Sequence, residues 1–448
     1  MIMQQEKIIC VFGLGKTGLS AARYLQRIGQ PFFVVDTRQA PDGTDELLAM
    51  DCCKQVYLGD IEQDTLNIAE KIILSPGVDP RISWIKNAVE AGVEIVGDIE
   101  LFARSSSAKI IAITGSNGKS TVTDLTFQLL KAAGKEAAIG GNFGKPVLDY
   151  LPQDEAEIYV LELSSFQLDS TSSLNAEVAT ILNITEDHMD RYGNFDEYAS
   201  SKLSIYEGAR SKLVNLDDPL TIPKSEKDFV GFSLENQECK YHLDKNDFLV
   251  CENTKIINVN ELNVTGRHNW ANALASLAIL NELNIAITPE IITALKSYRG
   301  LKHRFELIKR TPKVDWINDS KATNVGSTEA ALNSIDRDFY QCVVLIAGGV
   351  AKGADLSPLR KPLKMKVDHV LALGKDRELI ADLVSADIVT FVDSMRLAVE
   401  KAQGYISANC GDDKKGLVLL SPACASLDMY PNFEARGEEF VNAVEASQ

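Results

Sequence analysis

The stretch T-G-S-N-G-K-S-T, residues 114–121, follows the apolar run I-I-A-I at 110–113 and precedes a helix-like stretch over 125–133. Strand, glycine loop, G-K-S-T and helix in that order form a phosphate cradle. Consecutive backbone N–H groups converge at the helix N-terminus, the glycines admit close approach and the lysine neutralises charge. The common form of this loop places four residues between its glycines, whereas only Ser116 and Asn117 separate Gly115 from Gly118 here. The bland alternative is a glycine turn with an incidental lysine, but the order of elements favours ATP. Gly115, Ser116, Asn117, Gly118 and Thr121 are expected to wrap the phosphates, Lys119 to meet the β- and γ-phosphates, and Ser120 to meet magnesium.

The same alternation of short apolar run, glycine-bearing turn and amphipathic stretch recurs in every third of the chain. Strands are expected at 8–12, 32–35, 110–113, 158–161, 178–182, 343–347, 370–373 and 417–420. This is the pattern of an α/β protein built on parallel sheets. With 448 residues, about three domains are expected, with breaks near Gly97 and Gly300. The polar, weakly alternating stretch 216–260 reads as a small antiparallel excursion rather than part of the main sheet. In parallel sheets ligands sit at the carboxyl ends of strands, so the turns are where chemistry is sought.

A net charge of −17 argues against nucleic acid or an anionic membrane as partner. The eight cysteines show neither C-x-x-C spacing nor a dense framework, which fits reduced thiols rather than zinc or disulfides. No signal-peptide pattern opens the chain, and no apolar stretch approaches the length needed to span a bilayer. A soluble cytoplasmic protein is the expectation.

Magnesium beside such a loop wants a carboxylate at the end of a neighbouring strand. Glu162, closing Y-V-L-E, is placed for it, although a strand-end acid is often only a solvated edge. The run 178–182 leads into N-I-T-E-D-H-M-D-R-Y, where His188, one of five histidines, is a candidate metal ligand or a helix-cap histidine. Lys202 reads from its own surroundings as a solvated helix residue. Gly13, Gly15 and Gly18 with Asp36 make a G-x-G-x-x-G and a downstream acid, which taken alone suggests an NAD-binding Rossmann fold. Any strand-to-helix turn that faces a diphosphate asks for the same glycines.

Taken together, T-G-S-N-G-K-S-T, L-E-L-S-S-F-Q-L, T-E-D-H-M-D-R-Y, G-R-H-N-W-A-N, H-R-F-E, N-D-S-K-A-T-N and S-P-A-C-A-S-L-D resemble the Mur ligase family over essentially the whole chain. These are the ATP-dependent amino-acid-adding enzymes of peptidoglycan precursor synthesis. The resemblance implies a Rossmann-like N-terminal domain (1–97) for a UDP substrate and a central P-loop ATPase domain with a parallel sheet (98–300). It also implies a Rossmann-like C-terminal domain (301–448) for the incoming amino acid. It points to the D-glutamate-adding branch, in which the carboxylate of UDP-N-acetylmuramoyl-L-alanine attacks the γ-phosphate of ATP and D-glutamate displaces phosphate from the acyl phosphate.

The resemblance also implies roles. Asn142 and His188 contact substrate and a second magnesium ion, Ser120 and Glu162 hold the first, and Lys202 matches a lysine carbamoylated in the family. Asn272, Arg304 and Asp319 hold adenine and ribose, so that one ATP spans two domains and their closure assembles the site. The UDP precursor meets Lys16, Thr17, Asp36, Thr37, Arg38, Ser75, Pro76 and Gly77. D-glutamate meets Lys352, helped by Thr323, Ser426 and Phe433, with His303 and Lys321 lining the cleft. A monomer is the family expectation. An L-alanine-adding relative, a folylpolyglutamate synthase and a non-catalytic nucleotide-binding regulator are the rival readings. No D-N-P-R motif of the diaminopimelate-adding relatives is present, and the regulator would leave Glu162, His188 and Lys202 without purpose.

Overall fold

Apolar runs bounded by glycine turns become buried strands, and a computed structural model shows them arranged in three sheets. It describes residues 8–152, 156–187, 189, 191–224, 228–264, 266–411 and 414–447. Among these, β1 (Ile8–Phe12), β2 (Phe32–Asp36), β3 (Cys53–Leu58), β4 (Ala69–Leu74) and β5 (Glu94–Val96) form an all-parallel sheet in the order β3-β2-β1-β4-β5. All five residues of β2, F-F-V-V-D, are buried, as expected of a parallel strand covered on both faces. The turn after β1 brings the helix Lys16–Arg27 so close that a Cβ on Gly18 would lie 1.9 Å from the Gly13 carbonyl oxygen. The third glycine of the fingerprint is therefore a packing requirement, independent of any ligand.

The second sheet has the order β14-β13-β12-β11-β10-β9-β6-β8-β7. Its strands are β6 (Lys109–Thr114), β7 (Ala137–Gly141), β8 (Ile158–Glu162), β9 (Val178–Ile181), β10 (Ser211–Asn215), β11 (Val230–Ser233), β12 (Tyr241–Leu243), β13 (Phe248–Cys251) and β14 (Thr254–Asn258). β7 to β12 pair in parallel across β6, whereas the pairs β12–β13 and β13–β14 are antiparallel. The excursion expected at 216–260 is thus antiparallel only at its outer rim. It is hydrogen-bonded into the main sheet through β11, which pairs in parallel with β10, and β12, which pairs in parallel with β11.

The third sheet runs β15-β16-β20-β17-β18-β19, from β15 (Glu306–Arg310), β16 (Val314–Asn318), β17 (Tyr340–Gly348), β18 (His369–Leu373), β19 (Val389–Phe391) and β20 (Lys415–Leu420). Only the β15–β16 pair is antiparallel.

By spatial contact the chain divides into two compact units, residues 1–261 with 272–296, and residues 262–271 with 297–448. The first unit holds two sheets because the segment between them is a packed joint. After Gly97 the chain forms the helix Asp98–Ser105, whose Phe102 meets Tyr159 edge to face at 4.9 Å. One cluster of buried residues runs from Val11, Leu25 and Val34 through Phe102 to Leu161 and Ile181. Polar ties reinforce it, with Arg27 donating to the carbonyls of Leu148 and Leu151 at 2.5 and 2.8 Å. Among the described residues no helix is long and apolar enough to cross a membrane.

Candidate functional site

At the carboxyl end of β6 the chain turns through Gly115 to Gly118 into the helix Lys119–Ala132. The loop is held in shape by the next strand's exit. The amides of Ser116 and Asn117 donate to the Asn183 carbonyl and side chain at 2.9 and 2.8 Å, and the Asn183 side chain donates back to the Asn117 carbonyl at 3.0 Å. The Ser116 hydroxyl donates to the Thr185 carbonyl at 2.8 Å and stands 3.0 Å from the Tyr198 hydroxyl. Gly118 has φ +85°, and a Cβ there would lie 2.8 Å from Oδ1 of Asn272, on the helix Arg267–Glu282. Both the left-handed backbone and the proximity of Asn272 therefore call for glycine.

Two lysines converge on this loop. The Lys119 ammonium donates to the carbonyls of Gly115 and Ser116 at 2.8 and 3.0 Å, across the mouth of the phosphate cradle. Lys202, on the helix Phe195–Leu203, donates to the same Gly115 carbonyl at 3.1 Å and lies over the Tyr198 ring at 4.8 Å. Lys202 is only 2% exposed, which corrects the solvated residue expected from its neighbours. Its stem packs beneath the loop instead of pointing to water. Burial, with the Lys119 charge added, pulls its amine well below the ordinary lysine value, against the opposing pull of Asp187, Glu162 and Asp169.

β8 delivers Glu162 next to β6. Its Oε1 accepts from the Asn142 side chain at 2.7 Å, and its backbone carbonyl accepts from the Asn142 amide at 2.8 Å. The other oxygen, Oε2, is buried with no hydrogen-bond partner among the described residues. A buried anionic oxygen without a donor is costly unless a cation answers it. With Ser120 buried in the first turn of the adjoining helix, this is a hard-oxygen environment that fits magnesium. Among the described residues no group of three or more His, Cys, Asp or Glu is gathered for a metal. His188 lies outside the described residues.

In the same unit the first sheet gathers its own set at the ends of β1, β2 and β4. The Asp36 carboxylate accepts from the Leu14 amide at 2.6 Å and from the Arg38 amide and guanidinium at 2.8 to 2.9 Å. Burial would raise this carboxyl, but Arg38 and the two amides outweigh it and hold it below the usual range. An Asp committed to a backbone amide and a guanidinium is braced as part of the turn. Ser75 donates to the Gly13 carbonyl at 2.6 Å, which joins its loop, with Pro76 and Gly77, to the glycine turn. Lys16, Thr37, Arg38 and Gly77 are exposed around it, and Thr17 is half-buried.

The second unit brings together His303, Arg304, Asp319, Lys321, Thr323 and Phe433. The His303 carbonyl accepts from the Lys321 amide at 2.9 Å, and the Lys321 carbonyl accepts from Thr323 at 2.8 Å. The Lys321 ammonium lies 4.0 Å above the Phe433 ring. Asp319 accepts from Ser421 at 2.9 Å and from the Phe305 amide at 3.1 Å. Burial pushes its carboxyl up to about 7, against the opposing charges of Arg304 and Arg436. A carboxyl raised on folding binds its proton more tightly folded than unfolded, so its contribution to stability falls as pH rises from about 4 to about 7. Asp319→Asn removes that loss. Comparing melting at pH 5 and pH 8, the variant should gain on the wild type by about 2 kcal/mol or more at the higher pH, and a pH-independent difference would exclude the effect.

Lys352 is exposed with φ +54°, in the loop after β17, and Ser426 is buried in the loop after β20. Val350 and Ala425 exchange backbone hydrogen bonds at 2.8 and 3.0 Å and hold the two loops side by side. Arg436 escaped sequence reading. Fully buried, it donates to the Ser320 hydroxyl and carbonyl and to the Cys424 carbonyl at 2.8 to 3.1 Å, and so ties together the exits of β16 and β20. Burial lowers it to about 10.

Three family models match the chain: Mur ligase MurD-like, N-terminal domain, at residues 7–97; Mur ligase middle domain, at 113–280; and Mur ligase, glutamate ligase domain, at 303–424. The UDP-N-acetylmuramoylalanine–D-glutamate ligase of Hahella chejuensis is 42% identical over 456 residues, covering 99% of each chain. The protein of the same name from Escherichia coli K12 is 44% identical over 443 residues, covering 97% of each. Among solved structures, the UDP-N-acetylmuramate-alanine ligase of Thermotoga maritima superposes with a TM-score of 0.61 at 19% identity, over 98% of this chain and 100% of that one. A pseudomurein peptide ligase type C from Methanothermus fervidus gives the same score and identity, over 99% and 100%. At that identity the structural likeness speaks to the fold alone.

Proposed function

Because the chain belongs to the Mur ligase family, as its three matched segments and its full-length relatives show, we infer that it joins D-glutamate to UDP-N-acetylmuramoyl-L-alanine, converting ATP to ADP and phosphate. The observation that carries this reading is the phosphate loop itself, with Lys119 across its mouth and the unanswered Glu162 oxygen beside it. In the reaction the L-alanine carboxylate attacks the γ-phosphorus and ADP leaves. The amine of D-glutamate then attacks the acyl carbon, and phosphate leaves with formation of the amide.

In this assignment residues 1–97 take the UDP moiety at Lys16, Thr17, Asp36, Thr37, Arg38 and the Ser75–Pro76–Gly77 turn. Residues 98–300 take ATP, and 301–448 take the amino acid, with Lys352, Thr323, Ser426 and Phe433 on D-glutamate and His303 and Lys321 beside them. Asn272, Arg304 and Asp319 serve the nucleoside. Transfer of a phosphoryl group asks for positioning and charge neutralisation more than for a protein nucleophile. Loop amides from Gly115 to Thr121 hold the phosphates in line, Lys119 neutralises charge on the transferred group, and Asn142 orients the substrate carboxylate. Ser120 and Glu162 would hold one magnesium ion, and His188 with a carbamate on Lys202 a second. Bound there, magnesium supplies further neutralisation of the phosphate oxygens. By the family resemblance the chain works as a monomer, in the cytoplasm with its nucleotide substrates.

Phosphate release with UDP-N-acetylmuramoyl-L-alanine and single amino acids tests the assignment. Turnover with D-glutamate alone is expected. Turnover with L-alanine or L-glutamate in its place, or with none of them, overturns it.

A further inference from the structure

The motif T-E-D-H-M-D-R-Y contains two adjacent side chains, Arg191 and Tyr192, that share the Phe166 ring as a neighbour and otherwise meet different elements, and the chemistry above uses neither. Tyr192 packs beside Tyr198. Its hydroxyl donates to Asp169 at 2.7 Å and stands 3.4 Å from the Ser201 hydroxyl, and its ring meets Tyr198, the partner of Ser116, at 5.4 Å. Arg191 reaches the first sheet. It donates from a terminal nitrogen to the Val78 carbonyl at 2.6 Å, and its Nε lies 3.8 Å from Asp79. The guanidinium carbon lies 4.5 Å from the ring centroid of Phe166, in the short helix after β8.

Val78 belongs to the turn proposed for the precursor. Its amide donates to the Ser75 carbonyl at 2.9 Å, and Ser75 donates in turn to the Gly13 carbonyl. The side chain of Val78 sits where a Cβ on Gly13 would be, at 2.8 Å. A continuous line of contacts therefore runs from the glycine turn through Ser75 and Val78 to Arg191, and from Tyr192 through Tyr198 to the phosphate loop. The Arg27 and Phe102 ties join the two sheets through other elements, the helices Lys16–Arg27 and Asp98–Ser105. Arg191, by contrast, acts on the substrate turn itself. It is mostly buried, it meets a carbonyl, an aromatic face and a carboxylate at once, and only a planar cation satisfies all three.

We propose that Arg191 is a positioning residue that holds the Ser75–Asp79 turn in register with the phosphate loop, so that a precursor gripped by its UDP end presents its far carboxylate to the γ-phosphate. The inference rests on the assignment of the first sheet to UDP. It makes Arg191 matter for ligands long enough to leave the first sheet and indifferent to those that stop there.

Calorimetric titration of the full chain with UDP and with UDP-N-acetylmuramoyl-L-alanine separates these. In Arg191→Ala the dissociation constant for UDP should stay within about twofold of wild type, while that for the precursor rises about tenfold. The kcat should fall, with the KM for D-glutamate unchanged. Arg191→Lys, which keeps a donor and a charge, should recover part of the precursor affinity. If Arg191→Ala melts early, Arg191→Gln is put through the same comparison. Equal weakening of both ligands, or of neither, overturns the positioning role alone. A wild-type protein that binds neither ligand overturns the assignment of the first sheet and this role with it.

Discussion

Lys119→Ala is expected to slow phosphate release with D-glutamate by about a thousandfold or more, while the KM for the UDP precursor changes little. The size follows from where the charge stands. The ammonium already stands across the mouth of the loop, 2.8 Å and 3.0 Å from the carbonyls of Gly115 and Ser116, beside the place assigned to the phosphate chain. A preorganised cation on a transferring phosphoryl group is commonly worth three orders of magnitude or more in rate. The precursor is spared because its UDP end is assigned to a different sheet. Unchanged melting of the variant separates loss of chemistry from loss of fold. A rate within tenfold of wild type would show that Lys119 only braces the loop.

Lys202→Ala should cost about a hundredfold in rate, the scale for removing a partner that supports a metal site, and should abolish a chemical signal as well. Carbamate formation joins an uncharged amine to carbon dioxide and releases a proton, and an ordinary lysine is almost wholly protonated at neutral pH. The burial of Lys202 and the nearby Lys119 charge lower that barrier by favouring the neutral amine. Labelled bicarbonate should therefore give a lysine-linked carbamate resonance in the wild type and none in Lys202→Ala. The sign with pH is fixed by the same shift. Acid sufficient to protonate the amine removes the carbamate, and activity falls with the resonance. Both return on neutralisation with bicarbonate. A wild-type protein without the resonance would leave Lys202 an unmodified buried amine and end the idea.

The depth to which the sequence could be read differs from site to site, for physical reasons. The phosphate loop was legible because its chemistry is local: glycines, lysine and hydroxyl sit in one short segment between a strand and a helix. The placement of Glu162 at a strand end was legible in Y-V-L-E. Lys202 was misread because its burial is tertiary. Its sequence neighbours Ser200 and Ser201 are polar, and nothing in Y-A-S-S-K-L announces that the Tyr198 ring and the Gly115 carbonyl will close over it. Arg436 lay beyond reach for a related reason, since its partners are mostly backbone carbonyls, which leave no trace in side-chain pattern. The break at Gly97 was seen as a boundary, but its packing was not. Phe102 is one aromatic in a short helix, and its contact with Tyr159 depends on a strand more than fifty residues later.

The rim formed by β13 and β14 has a consequence of another kind. The strands of the second sheet near β6 are almost wholly apolar, and such a sheet ending at β11 would offer a row of unsatisfied amides and carbonyls to any strand that came by. The chain instead continues into a short antiparallel hairpin whose outermost strand presents Thr254 and Lys255 to water. A register shift in the β13–β14 pairing, between Leu249 and Val250, further spoils the flatness another strand would need. The least ordered-looking stretch of the sequence, with no chemistry assigned to it, thereby gives the sheet an edge less suited to pairing with another strand than β11 would be.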